Sequence, residues 1–246
     1  MHTVPGLFDR LVKLYADGEQ ATAEGRFADA IELFSEGIAL DDHFRQRYVT
    51  LYAQRAFAKR RMGDLAGAIP DYGVAIAMEP AFNQARYYFH RGICFATLGE
   101  HAAEAVADFT RSLAIDDRQP GPYHLRGKLL TTELGQHDAA ITDFDRSLAL
   151  HVHPEVLQLR GRANLELGRA QLAIADLHEA KRLLPDVYTD YLLAWAGAIA
   201  PDDELFYSAL SDVLRADPSY REHFLDNDDF RRFYEEPRFQ QIVGPG

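Results

Sequence analysis

Five segments of the chain share one pattern, and their regular spacing constrains the fold more than any other feature of the sequence. Each segment starts at a glycine, has an alanine five or six residues later, and has a large apolar residue one helical turn after that alanine. The glycines are Gly25, Gly63, Gly99, Gly135 and Gly168, which are 38, 36, 36 and 33 residues apart. Such a period is typical of arrays in which one supersecondary unit stacks on the next.

The apolar spacing within the segments predicts that the repeated unit contains amphipathic α-helices. In the first segment Ile31, Phe34 and Ile38 recur at intervals of three and four, and the next segment repeats this spacing. Intervals of three and four place apolar residues on one face of a helix, whereas a half-buried strand requires strict alternation. The sequence therefore predicts helical hairpins rather than a sheet.

The segments resemble the tetratricopeptide repeat, whose unit is about 34 residues long. The small residues at the point where its two helices touch are Ala30, Ala68, Ala105, Ala140 and Ala173, and the large apolar residues one turn later are Phe34, Tyr72, Phe109, Phe144 and Leu177. The closing proline of the family is present as Pro80, Pro185 and Pro218 and is replaced by Asp42, Asp117 and Val152. The resemblance implies an all-α fold, a right-handed superhelix (an α-α solenoid) of about six hairpins.

The register of the resemblance gives the expected domain organisation. An N-terminal segment covers residues 1–10, and the six repeats cover 11–44, 49–82, 85–118, 120–153, 154–187 and 187–220, with residues 45–48 as a linker. The sixth repeat is divergent because Pro201 stands where the others have their turn glycine. Residues 221–246 resemble the acidic tails ending in Pro-Arg-Phe of bacterial members of the family, and we expect them to cap the last hairpin.

An Arg-Gly pair recurs in three first helices, Arg55 holds the same position before an alanine, and the spacing of acidic residues predicts a structural role for these arginines. Residues equally distant from the turn of an antiparallel hairpin face each other, so each arginine faces the position 16 or 17 residues later. That position is acidic four times, which gives the predicted pairs Arg55 with Asp71, Arg91 with Asp108, Arg126 with Asp143 and Arg160 with Asp176. The alternative, in which these arginines face a ligand, stays open at this point.

The resemblance also implies where a ligand would bind, because the family uses the inner, concave face of its first helices. Its positions 2, 5, 9, 12 and 13 select Phe57, Arg60, Arg61, Arg86, Phe89, Ile93, Thr97, His124, Lys128, Thr131, Gln158, Arg162 and Glu166. This groove is basic in an acidic protein, which favours an acidic or extended peptide. The alternative is that these are ordinary solvated helix residues.

Two further sets of residues bear on ligand binding: the positions of a known carboxylate clamp and an aromatic stripe in repeat six. The positions of the chaperone-type carboxylate clamp are occupied by Tyr15, Glu19, Gln54, Arg86 and His90, of which only the last two match, so a standard clamp is not expected. In repeat six, Tyr188, Tyr191 and Trp195 form an aromatic stripe at helical spacing. We interpret this stripe as core beneath the tail rather than as a ligand site.

Composition excludes several classes of function. The formal charge of −12 argues against a nucleic-acid partner, because such binding requires neutralisation of phosphates. There is no signal-like N-terminal segment and no stretch of about 18 apolar residues, so we expect a soluble, cytoplasmic protein without a membrane partner. The lone Cys94 fits a reducing compartment and is expected to be a buried apolar residue.

No motif in the sequence points to catalysis, a metal or a cofactor. A glycine-rich phosphate loop, a His-Glu-x-x-His motif and a nucleophile elbow are all missing, and His151 and His153 form only a His-x-His pair in a loop. We therefore expect a noncatalytic module that binds a protein or peptide in its groove. The alternative is a structural subunit that forms a homo-oligomer through the ends of its array.

Overall fold

The computed structural model of the chain describes residues 6–44 and 48–244, with side chains omitted from 41 to 44. Within those residues it contains α-helices and short 3-10 helices and no β-strand. The all-α fold is thereby confirmed. Most of the linker expected at 45–48 and the first half of the expected segment 1–10 lie outside the described residues, as do the last two residues.

The chain forms two compact units, Met1–Arg126 and Gly127–Gly246, and the boundary between them falls inside one helix. Consecutive helices of unit 1 pack in pairs, α1 on α2, α3 on α4 and α5 on α6. Its helices are α1 (Leu7–Ala23), α2 (Phe27–Phe44), α3 (Val49–Arg61), α4 (Leu65–Met78), α5 (Ala85–Leu98), α6 (Ala102–Ile115) and the first half of α7 (Pro120–Thr132).

Unit 2 continues the pattern, with α9 packed on α10 and α11 packed on α12. Its further helices are α8 (His137–Leu150), α9 (Pro154–Glu166), α10 (Ala170–Leu183), α11 (Val187–Ile199), α12 (Asp203–Ala216), α13 (Arg221–Asp226) and α14 (Pro237–Val243). The helix pairs fall within the repeat boundaries given above, except that α1 begins at Leu7, before the expected start of the first repeat at residue 11. We propose the remaining boundaries for this chain.

The turns between paired helices depend on glycine. The five turn glycines that define the repeat all have positive φ angles, between 63° and 87°. Residues with a Cβ rarely adopt this conformation, whereas glycine adopts it without steric cost. The glycines therefore end the first helix of these five hairpins and allow the second helix to return antiparallel.

The interior of each hairpin is built from the small and large residues of the repeat. The five repeated alanines are completely buried, and so are Phe34, Phe109, Phe144 and Leu177. At Gly92 an added Cβ would lie 2.8 Å from Cε1 of Phe109, so only glycine lets the two helices approach this closely. Gly127 meets Phe144 in the same way.

The C-terminal tail packs onto the last hairpin through phenylalanines. Phe224, Phe230 and Phe233 are completely buried. The ring of Phe233 stacks on that of Phe206 in α12, with 3.7 Å between the centroids. We propose that this tail caps the array, because it covers apolar surface of α12 that would otherwise face water.

Candidate functional site

Three of the four arginines with a predicted acidic partner lie against aspartates of the second helices. In three of the four predicted pairs the guanidinium donates two parallel hydrogen bonds of 2.6–2.8 Å to one carboxylate. These pairs are Arg55 with Asp71, Arg91 with Asp108 and Arg160 with Asp176. The aspartates are 5%, 5% and 8% exposed, so the charges are paired within the hairpin.

The third guanidinium nitrogen reaches the second helix of the preceding hairpin. Nη1 of Arg55 donates to Ser35 at 3.2 Å, and Nη1 of Arg160 lies 2.6 Å from Oδ1 of Asp145. Arg126 makes the same kind of contact with Thr110 at 2.9 Å, whereas its pairing with Asp143 stays a prediction.

These contacts make the paired arginines poor candidates for a ligand-binding site. The hydrogen bonds to Asp108 and Asp176 raise the pKa of Arg91 and Arg160 above the usual arginine value. A guanidinium that is paired with a buried carboxylate has few hydrogen-bond donors left for a partner protein, and its charge is already compensated. We propose that these arginines stabilise the hairpins rather than bind a ligand.

Unit 1 contains a cavity of about 360 Å³ between the first helices of three hairpins. We call it the unit-1 pocket. Of the residues predicted for the groove, it includes Phe57 and Arg86. It is lined by Tyr15, Glu19, Thr50, Ala53, Gln54, Phe57, Tyr72, Arg86, Tyr87 and His90, which include all five positions compared above with the chaperone clamp.

Three polar atoms at or beside the unit-1 pocket are buried and make no hydrogen bond of good geometry within the described residues, although the Arg60 guanidinium lies close enough to the Tyr72 hydroxyl to interact with it. They are Nε of Arg60, the hydroxyl of Tyr72 and Nδ1 of His90. Tyr72 is 1% exposed, and its ring stacks on that of His90 at 5.9 Å. Buried polar groups are normally satisfied, so this cluster is suited to a ligand that supplies hydrogen-bonding atoms.

Burial and positive charge set the protonation states of this cluster. Burial raises the pKa of Tyr72 to about 12, against the opposing effect of the nearby Arg60 guanidinium. Burial, Arg60 and Arg86 lower the pKa of His90 to about 4. At neutral pH the phenol is therefore a neutral donor, the imidazole is uncharged, and the positive charge resides on the two arginines.

The two edges of the unit-1 pocket differ in charge. At one edge the carboxylate of Glu19 accepts hydrogen bonds from Tyr15 at 2.7 Å and from Gln54 at 3.1 Å. At the other edge Arg86 is exposed, lies over the ring of Tyr87 at 4.6 Å and has no carboxylate partner within the described part of the chain. The pocket thus has a hydrogen-bonded carboxylate at one edge and, at the other, an arginine that donates to the hydroxyl of Tyr87.

The other predicted groove residues of unit 1 lie outside this pocket. Arg61 lies over the ring of Phe27 in α2, at 5.1 Å. Phe89 packs against the ring of Phe109, while the hydroxyl of Thr97 donates to the carbonyl of Ile93 within the same helix.

In unit 2 most predicted groove residues bond to neighbouring helices. Lys128 pairs with Glu155 at 2.9 Å, and Gln158 donates to Asp186 and Thr189 at 2.5 and 2.6 Å. His124, at the end of unit 1, is half-buried.

Thr131, another predicted groove residue, is buried within its hairpin, and its groove role stays a prediction. Its side chain is 7% exposed, and its hydroxyl lies 2.7 Å from Nδ1 of His137. The reason is that His137 begins α8 and packs back onto α7 across the short turn. The contact between Thr131 and His137 joins the two helices of the hairpin.

Arg162 and Glu166 belong to a second cavity, of about 340 Å³, which we call the unit-2 pocket. It is lined by Arg162, Glu166, Tyr188, Tyr191, Leu192, Trp195, Tyr220, His223 and Asn227. The aromatic stripe of α11 packs on the core beneath the tail, as expected, but it also walls this pocket. If groove positions 2, 5 and 9 are continued into the sixth repeat, they select the three residues of this stripe, Tyr188, Tyr191 and Trp195. The sequence prediction did not use this signal.

No arrangement typical of a metal centre occurs among the residues that the structure describes. The rings of His151 and His153 are 6.4 Å apart. Cys94 is completely buried, and burial raises its thiol pKa to about 11, so the thiolate form is scarce at neutral pH. Across the described ranges, no helix has both the length and the apolar character to cross a membrane.

Comparisons with known proteins find matches in both units. The family model for the tetratricopeptide repeat matches residues 54–120 and 133–187. The C-terminal part of a TPR repeat-containing protein from Cytophaga hutchinsonii superimposes with a TM-score of 0.71, over 93% of this chain and 90% of that one, at 14% identity. Comparison with curated protein sequences finds no match.

Two other solved structures share the fold at low identity. MamA is 18% identical over 71% of this chain and 94% of its own, with a TM-score of 0.63. Cut9, from the Cut9–Hcn1 hetero-tetramer of the APC/C, is 18% identical over 92% of this chain and 43% of that one, with a TM-score of 0.61. Together with the helical hairpins and the family match, these likenesses identify the chain as a tetratricopeptide repeat protein.

Proposed function

We propose that this chain is a noncatalytic interaction module that binds an acidic peptide segment of a partner protein in the unit-1 pocket. Tetratricopeptide repeats are scaffolds for protein–protein interaction, and this general role extends to the chain. The observation that carries the narrower proposal is that buried polar atoms of Arg60, Tyr72 and His90 beside the cavity make no hydrogen bond of good geometry within the described residues.

The distribution of arginine partners favours an acidic ligand. Arg55, Arg91 and Arg160 are neutralised by aspartates of their own hairpins, whereas Arg60 and Arg86 lack a carboxylate partner within the described ranges. A carboxylate from a ligand would accept hydrogen bonds from these guanidinium groups, which are charge-assisted and stronger than neutral ones. An acidic side chain near Tyr72 would also satisfy its hydroxyl.

The size of the pocket favours a short stretch of chain over a large ligand. Its volume of about 360 Å³ is near the lower end of the range for small-molecule sites. Phe57 and the ring of Tyr87 supply apolar contact area beside the charged edge. We therefore expect one acidic side chain to enter the pocket, with the flanking peptide lying on the first helices.

The chemistry of the ligand can be tested with an array of short peptides of defined charge. We expect the protein to bind peptides rich in aspartate or glutamate and not their asparagine and glutamine counterparts. Arg86→Glu should abolish this preference, while Arg111→Glu, an exposed arginine on α6 outside the pocket, serves as a control of equal charge. Binding that ignores peptide charge would exclude the proposal.

Self-association is the second candidate, and one observation favours it. An apolar cavity of about 280 Å³ lies at the start of unit 1, lined by Phe8, Leu11, Val12, Tyr15, Tyr48, Thr50 and Leu51. Phe8 and Val12 are 60% and 51% exposed, and exposed apolar patches often mark interfaces. Light scattering coupled to size exclusion separates the cases, because a stable dimer that Phe8→Glu dissociates would support assembly.

A further inference from the structure

We propose that the unit-2 pocket binds a cationic side chain, lysine or arginine, of a protein segment. This inference concerns a different pocket and a ligand of opposite charge from the proposed function, and it does not rest on it. Its basis is a cavity that combines aromatic walls with carboxylates at its edges.

Four aromatic side chains line the pocket, namely Tyr188, Tyr191, Trp195 and Tyr220. The rings of Tyr188 and Tyr191 stack at 6.5 Å, and the ring of Tyr220 lies 5.7 Å from that of Tyr191. Trp195 continues the wall one turn further along α11. The face of an aromatic ring carries partial negative charge, so several faces around one cavity attract a cation.

These rings are fixed before any ligand arrives. Tyr191 meets Phe224 of the tail edge-on at 5.4 Å, and its hydroxyl accepts a hydrogen bond from Asn227 at 3.3 Å. Nε1 of Trp195 donates to Asp229 at 2.5 Å. A pocket that is already ordered loses little entropy when a side chain enters it.

Carboxylates around the unit-2 pocket outnumber its cations. Glu166 lines the pocket, and Asp229 approaches it through Trp195. Asp217 and Asp186 lie close enough to Tyr220 to raise the pKa of its phenol, after burial as the main cause. This surplus of negative charge favours a cationic ligand over an anionic one.

The one arginine of the pocket is already engaged. Arg162 lies 3.7 Å from Glu166 and donates to the hydroxyl of Tyr188 at 3.4 Å. Elsewhere arginines of the chain do cover aromatic rings, as Arg238 covers Tyr207 at 4.2 Å. Within the described residues no arginine or lysine lies over the four rings of the unit-2 pocket, so no cation of the described chain already occupies this aromatic site.

The test uses the full chain, because Trp195 is its sole tryptophan and reports directly on the pocket. The probes are blocked tripeptides, acetyl-Gly-X-Gly-amide, in which X is lysine, arginine, norleucine or glutamate. We expect saturable changes in tryptophan fluorescence with lysine and arginine, with affinities about five- to thirtyfold higher than with norleucine. Comparable affinity for lysine and norleucine, no saturation with lysine, or tighter binding of glutamate would overturn the inference.

Two pocket variants and one control variant distinguish loss of binding in the unit-2 pocket from a general effect on the fold. Tyr220→Leu should weaken lysine binding severalfold, while Phe82→Leu, which removes an exposed aromatic ring in unit 1, should leave it unchanged. Glu166→Gln keeps the size of the side chain and should weaken lysine binding but not norleucine binding. Equal affinity of Glu166→Gln and the parent for both peptides would contradict the electrostatic part of the proposal.

Discussion

Arg160 and Asp145 belong to consecutive hairpins and form an ion pair, with 2.6 Å between Nη1 and Oδ1. The other two nitrogens of the same guanidinium hold Asp176 within its own hairpin. One side chain therefore connects three helices, α8, α9 and α10. The guanidinium group is rigid and planar and has donors on several sides, so it can bond to both aspartates at once. The single ammonium group of lysine could not reproduce these contacts.

Removal of this arginine should destabilise the chain through the aspartate that it leaves behind. We expect Arg160→Leu to cost about 3 kcal/mol in the free energy of unfolding, because Asp176 is 8% exposed and would lose its paired charge. In a double-mutant cycle measured by urea unfolding, Asp176→Leu should restore part of that loss. Arg182→Leu breaks an exposed pair with Glu179 and should have little effect on the free energy of unfolding. Additive effects of Arg160→Leu and Asp176→Leu would show that the pair is not coupled.

Two helix glycines should respond to substitution in opposite directions. At Gly73 an added Cβ would lie 3.6 Å from Nη1 of Arg91, an ordinary contact, in the place where Ser35 meets Arg55. We expect Gly73→Ser to stabilise the chain by about 0.5–1.5 kcal/mol through helix propensity and a new hydrogen bond.

Gly92→Ala is the counterpart, since its Cβ would lie 2.8 Å from the ring of Phe109. We expect a loss of about 1–3 kcal/mol from overpacking, measured by the same urea unfolding. If both variants changed stability in the same direction, the assigned packing of α4 or of α5 on α6 would be incorrect.

The sequence was sufficient for the helical hairpins and for the partners of most Arg-Gly arginines. Both follow from local rules, because glycine fixes the turn and an antiparallel pair brings Arg91 opposite Asp108. The contacts between hairpins were not predictable in this way. Arg55 reaches Ser35 across a repeat boundary, and the distance between those positions depends on how the hairpins stack rather than on spacing within one of them.

The pockets were only partly predictable for the same reason. The groove positions found Phe57 and Arg86, but Tyr72 enters the unit-1 pocket from a second helix, which the register of first helices does not include. Thr131 holds a groove position and is buried by His137, a contact between side chains that no periodicity encodes.

The buried His90 should make stability depend on pH. Its pKa is lowered to about 4 in the folded chain, against about 6.5 when unfolded, so between these values the unfolded state binds more protons. Stability from this residue is therefore present above about pH 6.5 and is lost as pH falls towards 4. Between pH 7 and 5 we expect a loss of at most about 2 kcal/mol from His90, which urea unfolding of His90→Gln should lack. An identical pH dependence in parent and variant would contradict the burial of this imidazole.

The tail should contribute strongly to the stability of unit 2. Phe233→Ala removes a completely buried ring stacked on Phe206, and we expect a loss of about 3–5 kcal/mol in thermal or urea unfolding. Leu225→Ala, at a position of the tail that is 46% exposed, should cost less than about 1 kcal/mol. Similar values for the two variants would mean that the tail does not act as a cap.

The most direct measurement of the central claim is calorimetric titration of an acidic peptide selected from the array. We expect Arg86→Glu to weaken binding at least about tenfold, since it replaces an attractive contact with a repulsive one in the unit-1 pocket. Arg111→Glu changes the net charge equally outside the pocket and should alter the affinity less than about twofold. Equal losses in the two variants would mean that the peptide responds to overall charge and would contradict binding in the unit-1 pocket.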